Sequence, residues 1–157
     1  DREALWPGVA DGTVAMVVSD HSPGPPEMKV GDDYFAMWGG VSGCQSTLGL
    51  LLAHGHGERG IPLHTIAAVT SRNIAERFGL AGKGELRPGS DADLVLVDLS
   101  FEGTVREDEL LYRHPTSCFV GSATRGRTVR TLVRGRTVFQ DGRPVGEAAG
   151  RLVVAAR

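Results

Sequence analysis

The chain has 157 residues, a length that suits one ordinary domain and allows a buried core. Its 17 Lys and Arg residues against 19 Asp and Glu leave a formal net charge of -2, which argues against a nucleic-acid or membrane-surface partner. Cys44 and Cys118 lie far apart and outside any C-x-x-C pattern, so neither a disulfide framework nor a thiolate zinc site is indicated; a reduced, cytoplasmic setting is expected, and no apolar run approaches the ~18 residues of a membrane span.

Taken in order, Arg2 to Val9 carries apolar Leu5, Trp6 and Val9 at helical spacing, and Asp11-Gly12 predicts the turn that follows. Val14 to Val18 is a short valine-rich run that reads as a strand buried on both faces. It stops at Ser19, Asp20 and His21, after which prolines forbid further regular structure. In a parallel α/β barrel the carboxyl ends of the strands line the active site, so Asp20 is a candidate metal ligand or general base; the plainer reading makes it a turn cap. Residues 24–33, rich in proline, glycine and charge, predict a loop over that strand end.

Ser42 with Gln45 fits a capping box, and Leu48 to Ala53 predicts a largely buried helix that Gly55 and Gly57 end. Leu63, Ile66, Ala67 and Thr70 repeat at helical spacing after Pro62. Asn73 with Glu76 gives a second capping box and a short helix stopping at Gly79. His54-Gly55-His56 has the look of a ligand pair, but it sits at a helix end, where residues two apart face different ways; it reads as a solvated terminus.

From Lys83 the composition changes to short β-type runs at 94–97, 130–133, 137–139 and 152–154, separated by Asp, Gly and Pro. Glu107 to Tyr112 predicts one helical turn. The near-repeat of Arg125-Gly126-Arg127-Thr128-Val129 as Arg134-Gly135-Arg136-Thr137-Val138 fits two strands joined by a turn at Gly135, with the arginines on an outer sheet face.

Several of these stretches carry a further signal. Asp20-His21-Ser22-Pro23, followed by Phe35-Ala36-Met37-Trp38-Gly39-Gly40-Val41-Ser42, resembles the last barrel strand and substrate loop of cyclic amidohydrolases, and of the allantoinase family most closely. Lys83 to Val95, with Pro88-Gly89-Ser90-Asp91-Ala92-Asp93 at its centre, is similar to the passage by which that superfamily leaves its barrel for a small β domain. Leu111-Tyr112-Arg113-His114 with Val120-Gly121 is similar to an allantoinase-type segment beyond it.

The resemblance implies an α/β fold: the carboxyl-terminal end of a metal-dependent-hydrolase TIM barrel, its last strand and helices, over residues 1–82, then a small β-sandwich domain over 83–157. A whole barrel needs about 250 residues, so the chain is expected to be the carboxyl-terminal piece of a longer enzyme. The implied activity is hydrolysis of a cyclic amide, a small-molecule cyclic ureide, at a divalent-metal centre, a zinc pair in the intact enzyme. Asp20 would bind one metal and shuttle the proton, and Gly39, Gly40, Val41 and Ser42 would contact substrate. The remaining metal ligands are expected in the missing amino-terminal barrel half, so the 157-residue chain alone is expected to hold no binuclear centre and to turn over nothing. A homo-oligomer is implied as well. A hydantoinase, dihydropyrimidinase or dihydroorotase relative is the alternative within the class; a non-catalytic interaction module is the alternative outside it.

Overall fold

A computed structural model describes residues 1–155. Helix α1 (Arg2–Asp11) ends at Gly12, whose φ of 87° is the left-handed closure expected of a glycine after a helix. Val9 is buried and Trp6 half-buried, whereas Leu5 faces solvent.

The segment that follows is extended but forms no strand, and it is not buried on both faces: Val14, Met16 and Val17 are half-buried while Ala15 and Val18 are exposed. A strand exists only where a second backbone lies beside it at about 4.8 Å. Here the neighbour on one side is a helix, reached by the Val17 amide donating to the Val69 carbonyl (2.9 Å) and by Asn73 Nδ2 donating to the Ala15 carbonyl (2.8 Å). Among the described residues the 14–19 stretch enters no sheet ladder.

Helix α2 (Thr47–Leu50) runs without interruption into a wider π-type stretch, Leu51–Gly57. Gly55 and Gly57 do not end it; Gly60, with φ 66°, does. Gly55 is there for packing, because a Cβ would come within 3.1 Å of Trp6 and 3.3 Å of Ile66. Neither capping box forms. No side chain caps α2, since Gln45 is engaged elsewhere, and α3 (Leu63–Ala67), the π-type Ala68–Arg72 and α4 (Asn73–Arg77) are one continuous helical run in which Asn73 starts nothing. That run closes at Gly79 (φ 62°), as the sequence indicated. Val9, Leu51, Leu52, Ile61, Ile66 and Val69 form the core between these helices. Ile66 and Val69, at 2% exposure, each contribute about 1.5–3 kcal/mol by leaving water.

The second half is a single antiparallel sheet of four strands in chain order: β1 (Leu94–Thr104), β2 (Ala123–Val133), β3 (Arg136–Gln140) and β4 (Arg143–Pro144). The β2–β3 turn is Arg134-Gly135 with φ of 48° and 75°, the doubly left-handed pair that matches strand twist. The expected run at Leu152–Val154 is not a strand; among the described residues nothing pairs with it, and Leu152 is 91% exposed. The helical turn spans only Glu107–Glu109, since Leu110 is already extended.

Helices and sheet meet at Gly126, in a bulged part of β2 with φ 76°. A Cβ there would lie 2.7 Å from Leu52 Cδ1 and 2.8 Å from Val97 Cγ1. A second tie runs through Lys83, whose ammonium pairs with Asp91 (2.7 Å) and Asp93, while the other oxygen of Asp93 accepts the Arg134 amide (2.7 Å). Those hydrogen bonds, to Asp91 first, raise the Lys83 pKa, and the Lys83 bond holds the Asp93 carboxyl below its ordinary value. No helix among the described residues is long and apolar enough to cross a membrane.

Candidate active site

The extended 14–19 stretch delivers Asp20 to one end of the helical half, with its side chain exposed. Asp20 takes φ 43°, a left-handed conformation that a short polar side chain tolerates and that costs most residues about 1 kcal/mol or more. Such non-glycine residues concentrate at functional sites. The kink turns the chain so that His21 lies beside Val41 in a parallel bridge, and the Ser22 amide donates to the Val41 carbonyl (2.9 Å).

Between these points the chain makes a closed excursion. A short 3-10 turn, Pro26–Lys29, follows the prolines, and the Trp38 amide returns to the Met28 carbonyl (2.8 Å). The Trp38 indole donates to the Ser22 carbonyl (3.1 Å) and lies on Gly24, where a Cβ would stand 2.7 Å from the ring. Lys29 donates to the carbonyls of Trp38 (3.3 Å) and Gly40. Gly40 has to be glycine, because a Cβ would fall 2.2 Å from the Ser22 carbonyl oxygen. The glycine loop is thus gripped by an ammonium from one side and by the Asp20 stretch from the other.

Its far end is fixed too. The Gly43 amide donates to His21 Nδ1 (3.2 Å), and Ser117 Oγ donates to the Ser42 carbonyl (2.7 Å). Gln45 spends its side chain on a distant segment, giving Nε2–H to the Glu109 carbonyl (2.7 Å) and accepting the Leu111 amide (2.9 Å). Its own amide donates to Tyr112 Oη (2.7 Å), and the Tyr112 ring lies 4.9 Å from that of His21.

The site residues expected from the sequence therefore fall in one neighbourhood, though not in one orientation. Gly39 and Val41 are exposed, Gly40 is half-buried, and Ser42 is buried at 4% exposure. The residues that sequence reasoning missed are Lys29, His21, Gln45 and Tyr112. Lys29 had no spacing to betray it, and the Gln45–Tyr112 bond joins residues 67 apart. Only the family-like Leu111–His114 segment hinted at the latter.

His54 and His56 take no part. His54 Nδ1 meets Glu58 (2.8 Å), holding that carboxyl below its ordinary range, and His56 Nδ1 meets the Ile61 carbonyl (2.9 Å). Among the described residues no group of three His, Cys, Asp or Glu side chains stands close enough to hold a metal ion. A catalytic metal needs about three protein ligands. Asp20 offers one exposed carboxylate and the neighbouring His21 has Nδ1 engaged, so these residues by themselves do not fit a metal centre.

This arrangement can be set against known proteins. The sequence profile of the amidohydrolase family matches residues 1–138. The chain is 56% identical over 151 residues to the allantoinase of Rubrobacter xylanophilus and 44% identical over 151 residues to that of Solibacter usitatus, covering 96% of this chain in each case. Among solved structures it is similar to a D-hydantoinase (dihydropyrimidinase) from Thermus sp., with a TM-score of 0.89 and 30% identity over 94% of this chain. In all three the match covers 33% of the other protein, so the chain spans about a third of the length of these relatives. With a family profile running through both the helices and most of the sheet, the chain belongs to the amidohydrolase family.

Proposed function

We propose that the chain is the carboxyl-terminal third of an allantoinase, an enzyme that opens the ring of the cyclic ureide allantoin to give allantoate. Residues 1–82 form the end of a (β/α)₈ barrel, and 83–157 supply one four-stranded sheet to the small β-sandwich domain beside it. The observation that carries this reading is 56% identity to an allantoinase over 96% of the chain. The left-handed Asp20 at the end of an extended run supports it.

In this reading Asp20 contributes one carboxylate to a divalent-metal centre, a zinc pair, whose other ligands come from the amino-terminal half of the enzyme. The carboxylate would take a proton from the attacking water as oxygen adds to the ring carbonyl, and pass that proton to the ring nitrogen as the C–N bond breaks. Gly39, Gly40, Val41 and Ser42 present main-chain groups to the ureide. The enzyme works in the cytoplasm and as a homo-oligomer.

A hydantoinase or dihydropyrimidinase reading has the structural likeness in its favour, but at 30% identity. Initial rates of the intact enzyme on allantoin, hydantoin and dihydroorotate decide between them. Allantoin is expected to be preferred by about 10⁴-fold in kcat/KM, the order of discrimination reached by sites that hydrogen-bond the distinguishing groups. A preference for hydantoin or dihydroorotate sinks the allantoinase reading.

A further inference from the structure

We propose that His21 is a positioning residue which, backed by Tyr112, holds the glycine loop in register with the Asp20 carboxylate; this rests on the reading of Asp20 as the proton carrier. Glycine-rich backbone has the most conformations to lose, so residues 39–43 do not hold a fixed shape unaided. Lys29 restrains the near end through the carbonyls of Trp38 and Gly40. At the far end, where Ser117 holds the Ser42 carbonyl, the Gly43 amide is taken by His21 Nδ1.

Gly43 is buried, so that amide needs a protein partner. A side chain at this position would press on the Ser19 carbonyl at 3.0 Å, which keeps the loop tight against the residues just before Asp20. The imidazole is kept from swinging away by Tyr112, tilted at 43° to it with centroids 4.9 Å apart. Tyr112 Oη in turn accepts the amide of Gln45, two residues beyond Gly43. The contacts close on themselves: Gly43 to His21, His21 to Tyr112, Tyr112 to Gln45, and back along the chain. Because His21 directly follows Asp20, the circuit sets where the loop stands relative to the carboxylate. A substrate bound by the loop meets the proton carrier in register only while the circuit holds.

Two substitutions separate the acceptor from the ring. His21→Phe keeps a ring against Tyr112 and removes the acceptor; His21→Asn loses the ring but offers an amide oxygen near the place of Nδ1. In the intact enzyme, His21→Phe is expected to lower kcat by about 10- to 100-fold with KM changed by less than about threefold, as misregistration of bound substrate requires. It should also speed amide exchange of the 39–46 segment, measured by mass spectrometry, while His21→Asn recovers most of both. The proposal is overturned if His21→Phe keeps kcat within about twofold of wild type, or if His21→Asn restores neither turnover nor protection. Should His21→Phe not fold, Tyr112→Phe, which drops only the hydroxyl, is expected to speed exchange of the same segment, and unchanged exchange refutes the circuit. The exchange experiment needs no substrate. A wild-type enzyme inactive on allantoin but showing the exchange pattern refutes the allantoinase reading and upholds the loop contact, whereas allantoin turnover without the pattern refutes the positioning role alone.

Discussion

Gly126 offers a sharp test of how the helices are joined to the sheet. Alanine there adds one carbon in a backbone with φ 76°, at 2.7 Å from Leu52 and 2.8 Å from Val97, both below any tolerated contact. The left-handed conformation costs about 1–2 kcal/mol for a residue with a Cβ, partly offset by about 0.4–1 kcal/mol from a stiffer unfolded chain. Overpacking adds about 1–3 kcal/mol. Gly121 is the control: its φ is 85°, yet a Cβ meets nothing within 4 Å, so alanine there incurs only the backbone cost. Gly126→Ala is therefore expected to destabilise by about 2–4 kcal/mol and Gly121→Ala by about 1 kcal/mol. At a urea dependence of about 2 kcal/mol/M, the two unfolding midpoints should differ by about 0.5–1.5 M. Leu52→Ala placed in the Gly126→Ala background should cost less than in wild type, because it removes the atom that the new methyl strikes. Equal midpoints for the two glycine variants, or full additivity with Leu52→Ala, would refute the steric argument.

Acid stability depends on the Lys83–Asp93 tie. The Lys83 bond depresses the Asp93 pKa in the folded state, so the unfolded chain binds more protons as pH falls. That stabilisation is complete above the ordinary carboxylate pKa of about 3.9 and is lost as pH drops through the folded value; with Asp93 a third exposed it amounts to about 1 kcal/mol. Lys83→Met should flatten this part of the stability–pH curve, and an unchanged curve would show the tie to be inert. Zinc analysis of the purified 157-residue chain is expected to fall well short of the about two equivalents a binuclear centre requires, and finding both would overturn the assignment of the missing ligands elsewhere. Asp20→Asn, at a left-handed position that asparagine tolerates, should lower allantoin turnover of the intact enzyme by about 10²- to 10⁴-fold. A loss under about tenfold would remove Asp20 from the chemistry.

What could be read in the sequence was mostly local. Gly12 and Gly79 ended helices as expected, and Arg134-Gly135 made its hairpin, because each outcome depends on a backbone angle that neighbouring residues set. Failures came where a side chain had a better partner far along the chain. Gln45 looks like half of a capping box, but two main-chain groups at Glu109 and Leu111 take its amide. Asn73 looks like a helix start, yet it reaches the Ala15 carbonyl. Gly55 looks like a helix stop, but Trp6 and Ile66 fill the space its missing side chain leaves. The Val14–Val18 run has the composition of a strand, but pairing is not a property of composition, and among the described residues the run joins no sheet ladder. The site divides the same way: Asp20, His21 and the 39–42 loop stand in short motifs, while the contacts that Lys29, His21 and Tyr112 make become visible only once the chain has folded back.

The tether between Asn73 and the Ala15 carbonyl has an implication for how the position of Asp20 is set. The acidic group rides on a ribbon hung from an outer helix by that amide and by one main-chain bond to Val69, so the helix acts as a height adjuster for the carboxylate. A substitution on that helix can then shift the Asp20 carboxylate while leaving its immediate neighbours along the chain as they were.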